Sequence, residues 1–170
     1  ILLPTDTLWC LACVADDPVA LERMRRVKAA NQLQPYELLF TDLKMLKQYA
    51  PQLNPRLETL LMYHRRPLTV LTKAGCGLHP IALMEDRKMA ARVTTNNYCR
   101  NLIRLLDKPL ATIPAYFSGS PFPDHFGRVR SDIIEAVDYV SRYRLKESLS
   151  GKPTIMVRVD QQEELEFIRE

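Results

Sequence analysis

The chain opens Ile1-Leu2-Leu3-Pro4-Thr5-Asp6-Thr7-Leu8-Trp9. Ile1 to Leu3 read as a short buried strand. Pro4 ends its ladder pairing, because proline has no N–H to donate. Thr5, Asp6 and Thr7 set two hydroxyls and a carboxylate on a turn, where such side chains bond nearby backbone amides. Leu8 and Trp9 return the chain to the core. A polar turn at the end of a buried strand is where open α/β sheets place ligands. A plain turn between two strands has the same composition, and these nine residues leave both readings open.

Working outward, Cys10 to Val14 read as a second strand. Asp16-Asp17-Pro18 starts a helix, with acids and a proline in its first turn. That helix is expected to run from Val19 to Ala30, with Ala20, Met24 and Val27 inward. Glu37 to Phe40 form a short strand. Asp42 caps a helix through Leu43 and Leu46, and Arg56 to His64 form another. Leu68 to Thr72 alternate as a strand does, and Met89 to Val93 follow as one more. Thr94 to Asn97 cap a helix reaching Leu106. Pro109 to Ile113 are a strand, Pro114 to Pro123 a long exposed loop, and Asp132 to Ala136 a short helix. Strands are also expected at Asp138–Val140, Thr154–Val157 and Leu165–Ile168. Strands alternating with helices predict an α/β fold: a single-domain twisted mixed β-sheet, residues 1–170, flanked by helices.

The totals fit one packed domain. There are 170 residues, 46% apolar and 26% charged, which excludes a disordered chain. The net charge of +4 permits an anionic ligand or RNA without demanding either. Four cysteines are too few for a disulfide scaffold and read as reduced thiols of a cytoplasmic protein. No membrane span or signal peptide is expected. The chain begins on a strand with no polar lead, which reads as a domain whose preceding helix lies outside this sequence.

Several constellations could carry chemistry. Cys10-x-x-Cys13 and Cys76-x-x-His79 have formal zinc spacing, but residues three apart in a strand point to opposite faces, which argues against a metal. Ser118, Ser120, Asp124 and His125 lie together without a nucleophile elbow. No glycine-rich phosphate loop occurs, so basic side chains would have to hold any phosphate. Two cations stand out. Lys28 ends the first helix before a proline-bounded loop, where it also suits the helix dipole. Arg92 sits inside the apolar run Met89-Ala90-Ala91-Arg92-Val93. A charge there needs a carboxylate partner, a ligand anion or an open cleft.

Pro4-Thr5-Asp6-Thr7-Leu8-Trp9 resembles the P-T-D-T-[VL]-[YW]-G-L opening of the YrdC family, the threonylcarbamoyl-AMP synthases. Later segments follow in the family's order. Arg26-Val27-Lys28 resembles the lead into K-x-R, and Arg66-Pro67-Leu68-Thr69 the K-P-L-T segment. Ala91-Arg92-Val93-Thr94 resembles the R-[VI]-[PT] strand. Pro109 to Thr112, Ala115 and Ser118-Gly119-Ser120-Pro121 are similar to P-[LI]-[VA]-[AS]-T-S-A-N-x-S-G-x-P. Val137 to Val140 resemble V-D-x-[VI], and Pro153 to Met156 resemble P-S-[ST]-[VI]. The resemblance implies a twisted sheet with a concave basic cleft. It also implies synthesis of threonylcarbamoyl-adenylate from threonine, bicarbonate and ATP (with Mg) for a tRNA modification, and double-stranded RNA binding in some members. Thr5, Thr7 and Arg92 would then serve threonine and bicarbonate, and Lys28, Ser118 and Thr154 the nucleotide.

The departures fall in that implied site. K-x-R is Lys28-Ala29-Ala30, and S-A-N is Pro114-Ala115-Tyr116. Y-G-L is Trp9-Cys10-Leu11, losing a glycine where the backbone would need freedom or close approach, and Ile155 replaces a hydroxyl residue. Each lost charge-assisted bond is worth roughly 1.5–3 kcal/mol, and lost transition-state contacts lower rates by orders of magnitude. The resemblance therefore implies a nucleotide- or RNA-binding protein with weakened or lost catalysis. The alternatives are an active synthase with substitute ligands such as Arg25 or Lys108, and a partner- or RNA-binding module. Implied partners are ATP or a related nucleotide, L-threonine and RNA.

Overall fold

The computed structural model describes residues 1–28, 35–117 and 119–169. Its strands are β1 (Leu2–Pro4), β2 (Trp9–Val14), β3 (Glu37–Phe40), β4 (Leu68–Lys73), β5 (Lys88–Val93), β6 (Leu110–Pro114), β7 (Ile155–Val159) and β8 (Leu165–Arg169). They form one mixed sheet in the order β1-β2-β6-β3-β5-β4-β7-β8. β3 runs parallel to β5, and β4 to β7; the other neighbours are antiparallel. The expected mixed α/β sheet is thus the fold.

Alternation along the strands divides the buried residues between two faces. Trp9, Leu11, Leu38, Phe40, Met89, Ala91, Leu68, Val70, Ile155 and Val157 enter the larger core cluster. Leu3, Ala12, Leu39 and Leu110 face the other way, against Cys99 and Ile103. The larger cluster is covered by α1 (Pro18–Val27), α2 (Leu43–Tyr49), α3 (Pro55–Tyr63) and α5 (Ser131–Glu135), through Leu21, Met24, Leu46, Leu57 and Ile133. α4 (Asn97–Leu106) covers the second face.

Local chemistry fixes these helices. Asp17 accepts from the Val19 and Ala20 amides ahead of α1, and Asp42 from Met45 ahead of α2. Asn96 accepts from Cys99 at the start of α4. Each satisfies backbone donors that a helix end leaves open. α1 stops at Val27 with Lys28 as its C-cap; the expected continuation to Ala29 and Ala30 lies outside the described residues. Leu21 and Met24 carry its buried stripe, while Ala20 and Val27 are half-buried.

Two other expectations change. Asp138–Val140 is not a strand: Val140 makes one isolated bridge to Leu2, flanked by Leu2 N to Tyr139 O and Ser141 N to Leu2 O. Leu2 lies at a sheet edge, so a single crossing segment satisfies its free backbone groups without extending the ladder. Pro4 remains inside β1, paired with Trp9. It occupies the strand end, where a missing donor costs least.

Candidate active site

The turn after β1 folds around one hydroxyl. Thr5 Oγ1 donates to the Leu8 carbonyl at 2.9 Å and accepts from the Thr7 and Leu8 amides, each at 3.2 Å. Thr5 therefore builds the turn. That leaves Thr7 Oγ1 to face Arg92, whose Nη1 donates to it at 3.3 Å. Asp6 also turns toward Arg92, with Oδ1 3.1 Å from Nη1. The Thr95 amide and hydroxyl both reach the other Asp6 oxygen at 3.3 Å.

Arg92 lies on the second face of the sheet, beside Leu39 of β3 in register. Glu37, two residues earlier, shares that face. Its Oε2 is 3.6 Å from Arg92 Nη2, an ion pair longer than a hydrogen bond. Its Oε1 accepts from Thr154 Oγ1 at 2.8 Å and from Arg169 Nη2 at 3.1 Å. Thr154 is bonded in turn to Thr69 at 2.8 Å and to Arg169 at 2.7 Å. A polar cluster thus joins the Thr5–Thr7 turn to β3, β5, β4 and β8.

The Arg92 side chain is 1% exposed, Asp6 9% and Glu37 16%. Burial opposes the arginine's charge, but Asp6 and then Glu37 outweigh it and raise its pKa above the usual guanidinium value. Of the three partners the sequence left open for Arg92, carboxylates are present. Its Nε has no partner among the described residues.

Lys28 stands at the C-terminal end of α1. It is 2% exposed. Its ammonium donates to the Pro114 carbonyl at 3.0 Å and to that of Tyr116. The Tyr116 ring centroid lies 4.7 Å away, a cation–π distance. Burial lowers its pKa from 10.5 to about 8. Cys10, on β2, has its sulfur 4.0 Å from Thr5 Oγ1 and donates to the Leu8 carbonyl at 3.6 Å. Burial pushes its thiol up to about 12, so it is a neutral space-filler. The backbone here is ordinary strand, since Cys10 is absent from the positive-φ residues. The freedom expected of a glycine is therefore not needed at this position.

The expected site residues fall as follows. Thr5, Thr7 and Arg92 come together. Thr154, expected on the nucleotide side, immediately precedes β7 and bonds to Thr69 of β4 and to the Glu37–Arg169 group. Ser118 lies outside the described residues. Arg25 donates to the Ile81 carbonyl and stands over Tyr36, and Lys108 pairs with Asp16 at 2.6 Å; both are engaged away from this cluster. His125 bonds Asp124 at 2.7 Å, and Arg128 pairs with the same carboxylate. No cluster able to hold a metal ion occurs among the described residues, and none of their helices is long and apolar enough to cross a membrane. Glu37 and Arg169 are the residues that sequence reasoning missed. The acid that opens the otherwise apolar strand Glu37–Phe40 was the available signal.

The family model described as "Telomere recombination", that of Sua5, YciO and YrdC, matches residues 1–170. The chain belongs to the Sua5/YciO/YrdC family. The uncharacterised protein YciO of Escherichia coli (strain K12) is 28% identical over 127 residues, which cover 73% of this chain and 61% of YciO. The matched segment is thus less than two thirds of that relative. The E. coli YciO structure is similar with a TM-score of 0.75 and 22% identity, over 99% of this chain and 81% of that one. A P. abyssi Sua5 double variant gives 0.82 and 21%, over 92% of this chain and 48% of that one. P. abyssi Sua5 complexed with L-threonine gives 0.70 and 21%, over 91% and 45%. The Sua5/YciO/YrdC fold is what these structures share with the chain.

Proposed function

We propose that this Sua5/YciO/YrdC-family protein binds a small amino acid, L-threonine in the first instance, at Thr7 and Arg92. A nucleotide binds weakly beside it, and threonylcarbamoyl-AMP synthesis is weakened or lost. The observation that carries this reading is the state of Lys28. A lysine that serves phosphate needs a free, charged ammonium. This one is buried, commits two of its three donors to the Pro114 and Tyr116 carbonyls, and has its pKa lowered to about 8. Those carbonyls belong to the segment that differs most from the family's S-A-N. Two further facts support the amino-acid side: Arg92 sits with Thr7 in one polar cluster, and a Sua5 structure is complexed with L-threonine.

The test is pyrophosphate release from ATP in the presence of L-threonine and bicarbonate. The expected result is release close to the background without threonine, with threonine binding detectable by calorimetry. Robust threonine-dependent turnover would sink the claim of weakened catalysis and favour an active synthase. Wild-type turnover in Lys28→Ala would remove the lysine from the argument altogether.

A further inference from the structure

We infer that segment 114–117 is an autoinhibitory strap: it occupies Lys28 and withholds that lysine from a polyphosphate anion, and its release exposes the lysine. The inference rests on the reading of Lys28 above and deepens it, from a lysine that is committed to one that is latched.

The strap begins where the sheet ends. β6 stops at Pro114, and the buried Ala115 is tied down by its amide, which donates to the Trp9 carbonyl at 2.9 Å. The Tyr116 amide then turns back onto the Pro114 carbonyl at 2.9 Å. This turn presents the Pro114 and Tyr116 carbonyls to the ammonium of Lys28, the C-cap of α1. A helix C-terminus carries partial negative charge, as do the two carbonyl oxygens brought up to it, and the ammonium joins them. Two rings add to the grip. The Lys28 ammonium lies 4.7 Å from the Tyr116 ring centroid and 5.8 Å from that of Phe117. The Arg130 guanidinium stands 4.7 Å from the Phe117 centroid, and Asp132 holds it there through bonds of 3.1 and 2.7 Å. Phe117 thus meets two cations, and Tyr116 packs edge-on against Phe122 at 5.1 Å. The ring of Tyr116 stands where the resemblance has the small amide of S-A-N, so this grip belongs to the present sequence.

The latch holds a charge that it does not neutralise. No carboxylate pairs with Lys28 among the described residues; carbonyl dipoles and ring faces are its partners. A buried cation without a counter-ion is costly, and dipoles offset part of that cost. With a pKa of about 8, the ammonium keeps its proton at neutral pH. An anion offers it a full opposite charge, but reaches it only when the two carbonyls leave. Tyr116 and Phe117 are half-buried, so they can swing out while Ala115 and β6 keep their bonds. The closed strap then lowers the apparent affinity for the anion by the fraction of molecules left open.

The probe is inorganic pyrophosphate, titrated by calorimetry into the whole chain, into Phe117→Ala and Tyr116→Ala, and into each of these combined with Lys28→Met. Hydrogen exchange at the Ala115 and Tyr116 amides reports on the strap itself. The wild type should bind pyrophosphate weakly, and binding should speed exchange at both amides, because anion and strap compete for one lysine. Either aromatic substitution should tighten binding about tenfold, the gain expected when about nine molecules in ten are closed. Lys28→Met should abolish that gain. Each aromatic variant stands in for the other if one does not fold, and the wild-type exchange measurement decides if neither does. Equal affinity in the wild type and the aromatic variants overturns the inference. So does a gain that survives Lys28→Met, exchange that pyrophosphate slows or leaves unchanged, or no binding by any folded protein. None of these outcomes touches the reading of weakened synthesis, which stands or falls on threonine-dependent turnover of ATP by the wild type.

Discussion

A single buried guanidinium sets the chemistry of this fold's second face. Removing it as Arg92→Met leaves Asp6 without its arginine and Glu37 with Arg169 alone. The expected loss is about 3–5 kcal/mol, the cost of breaking a buried pair from one side, and urea denaturation measures it. Arg92→Lys should recover part of that loss but not all, because an ammonium cannot face two carboxylates with a planar fork. Arg92 was legible in the sequence as a charge inside an apolar run. Its partner Glu37 was not, because that contact depends on the parallel register of two strands distant in the chain, which neither segment encodes alone. Lys28 makes a second prediction. Burial lowers its pKa to about 8 from 10.5. Between those values the unfolded chain holds a proton that the folded chain has released, so stability rises as pH increases. Lys28→Met should flatten that rise in denaturation midpoints measured from pH 7.5 to 10.5.

The elements that frame the cluster were mostly readable, and their connections were not. Asp17, Asp42 and the Thr94–Asn97 stretch marked helix starts because capping is local chemistry. The Asp138–Val140 segment carried a strand's composition but found only one bridge, since what decides is the edge available to it. The loop before β7 shows the same dependence. Gly151 N donates to the Thr7 carbonyl at 3.2 Å, tying that loop to the turn. Its φ is +68°, and a Cβ there would lie 3.1 Å from Asp124 Cβ. Gly151→Ala should therefore destabilise the protein by about 1 kcal/mol or more. It should also weaken threonine binding, because the Thr7 turn loses its outer support. Thermal melting and calorimetry on the same variant check both effects, and an unchanged melting temperature would remove this tie from the account.

At the scale of the whole molecule, one sheet runs through all the elements, so the described residues should unfold together. Trp9 is the only tryptophan and is fully buried in β2. Its fluorescence and the far-ultraviolet dichroism should give coincident urea curves, and separated midpoints would reveal independently unfolding parts. The mixed sheet was legible because apolar periodicity reports each strand. The strand order was not, because it is fixed by pairings between distant segments. That order also imposes a timetable on synthesis. β2 takes its inner partner from β6, with Leu11 opposite Ile113. At ribosomal speeds of roughly 5–20 residues per second, the first hairpin waits about 5–20 s with its apolar inner edge open. The turn bearing Thr5 and Thr7 is made before Gly151, Thr154 and Arg169. The nascent chain therefore carries this turn long before the residues that pack around it, and a chaperone that shields the Trp9–Val14 edge would act in that interval.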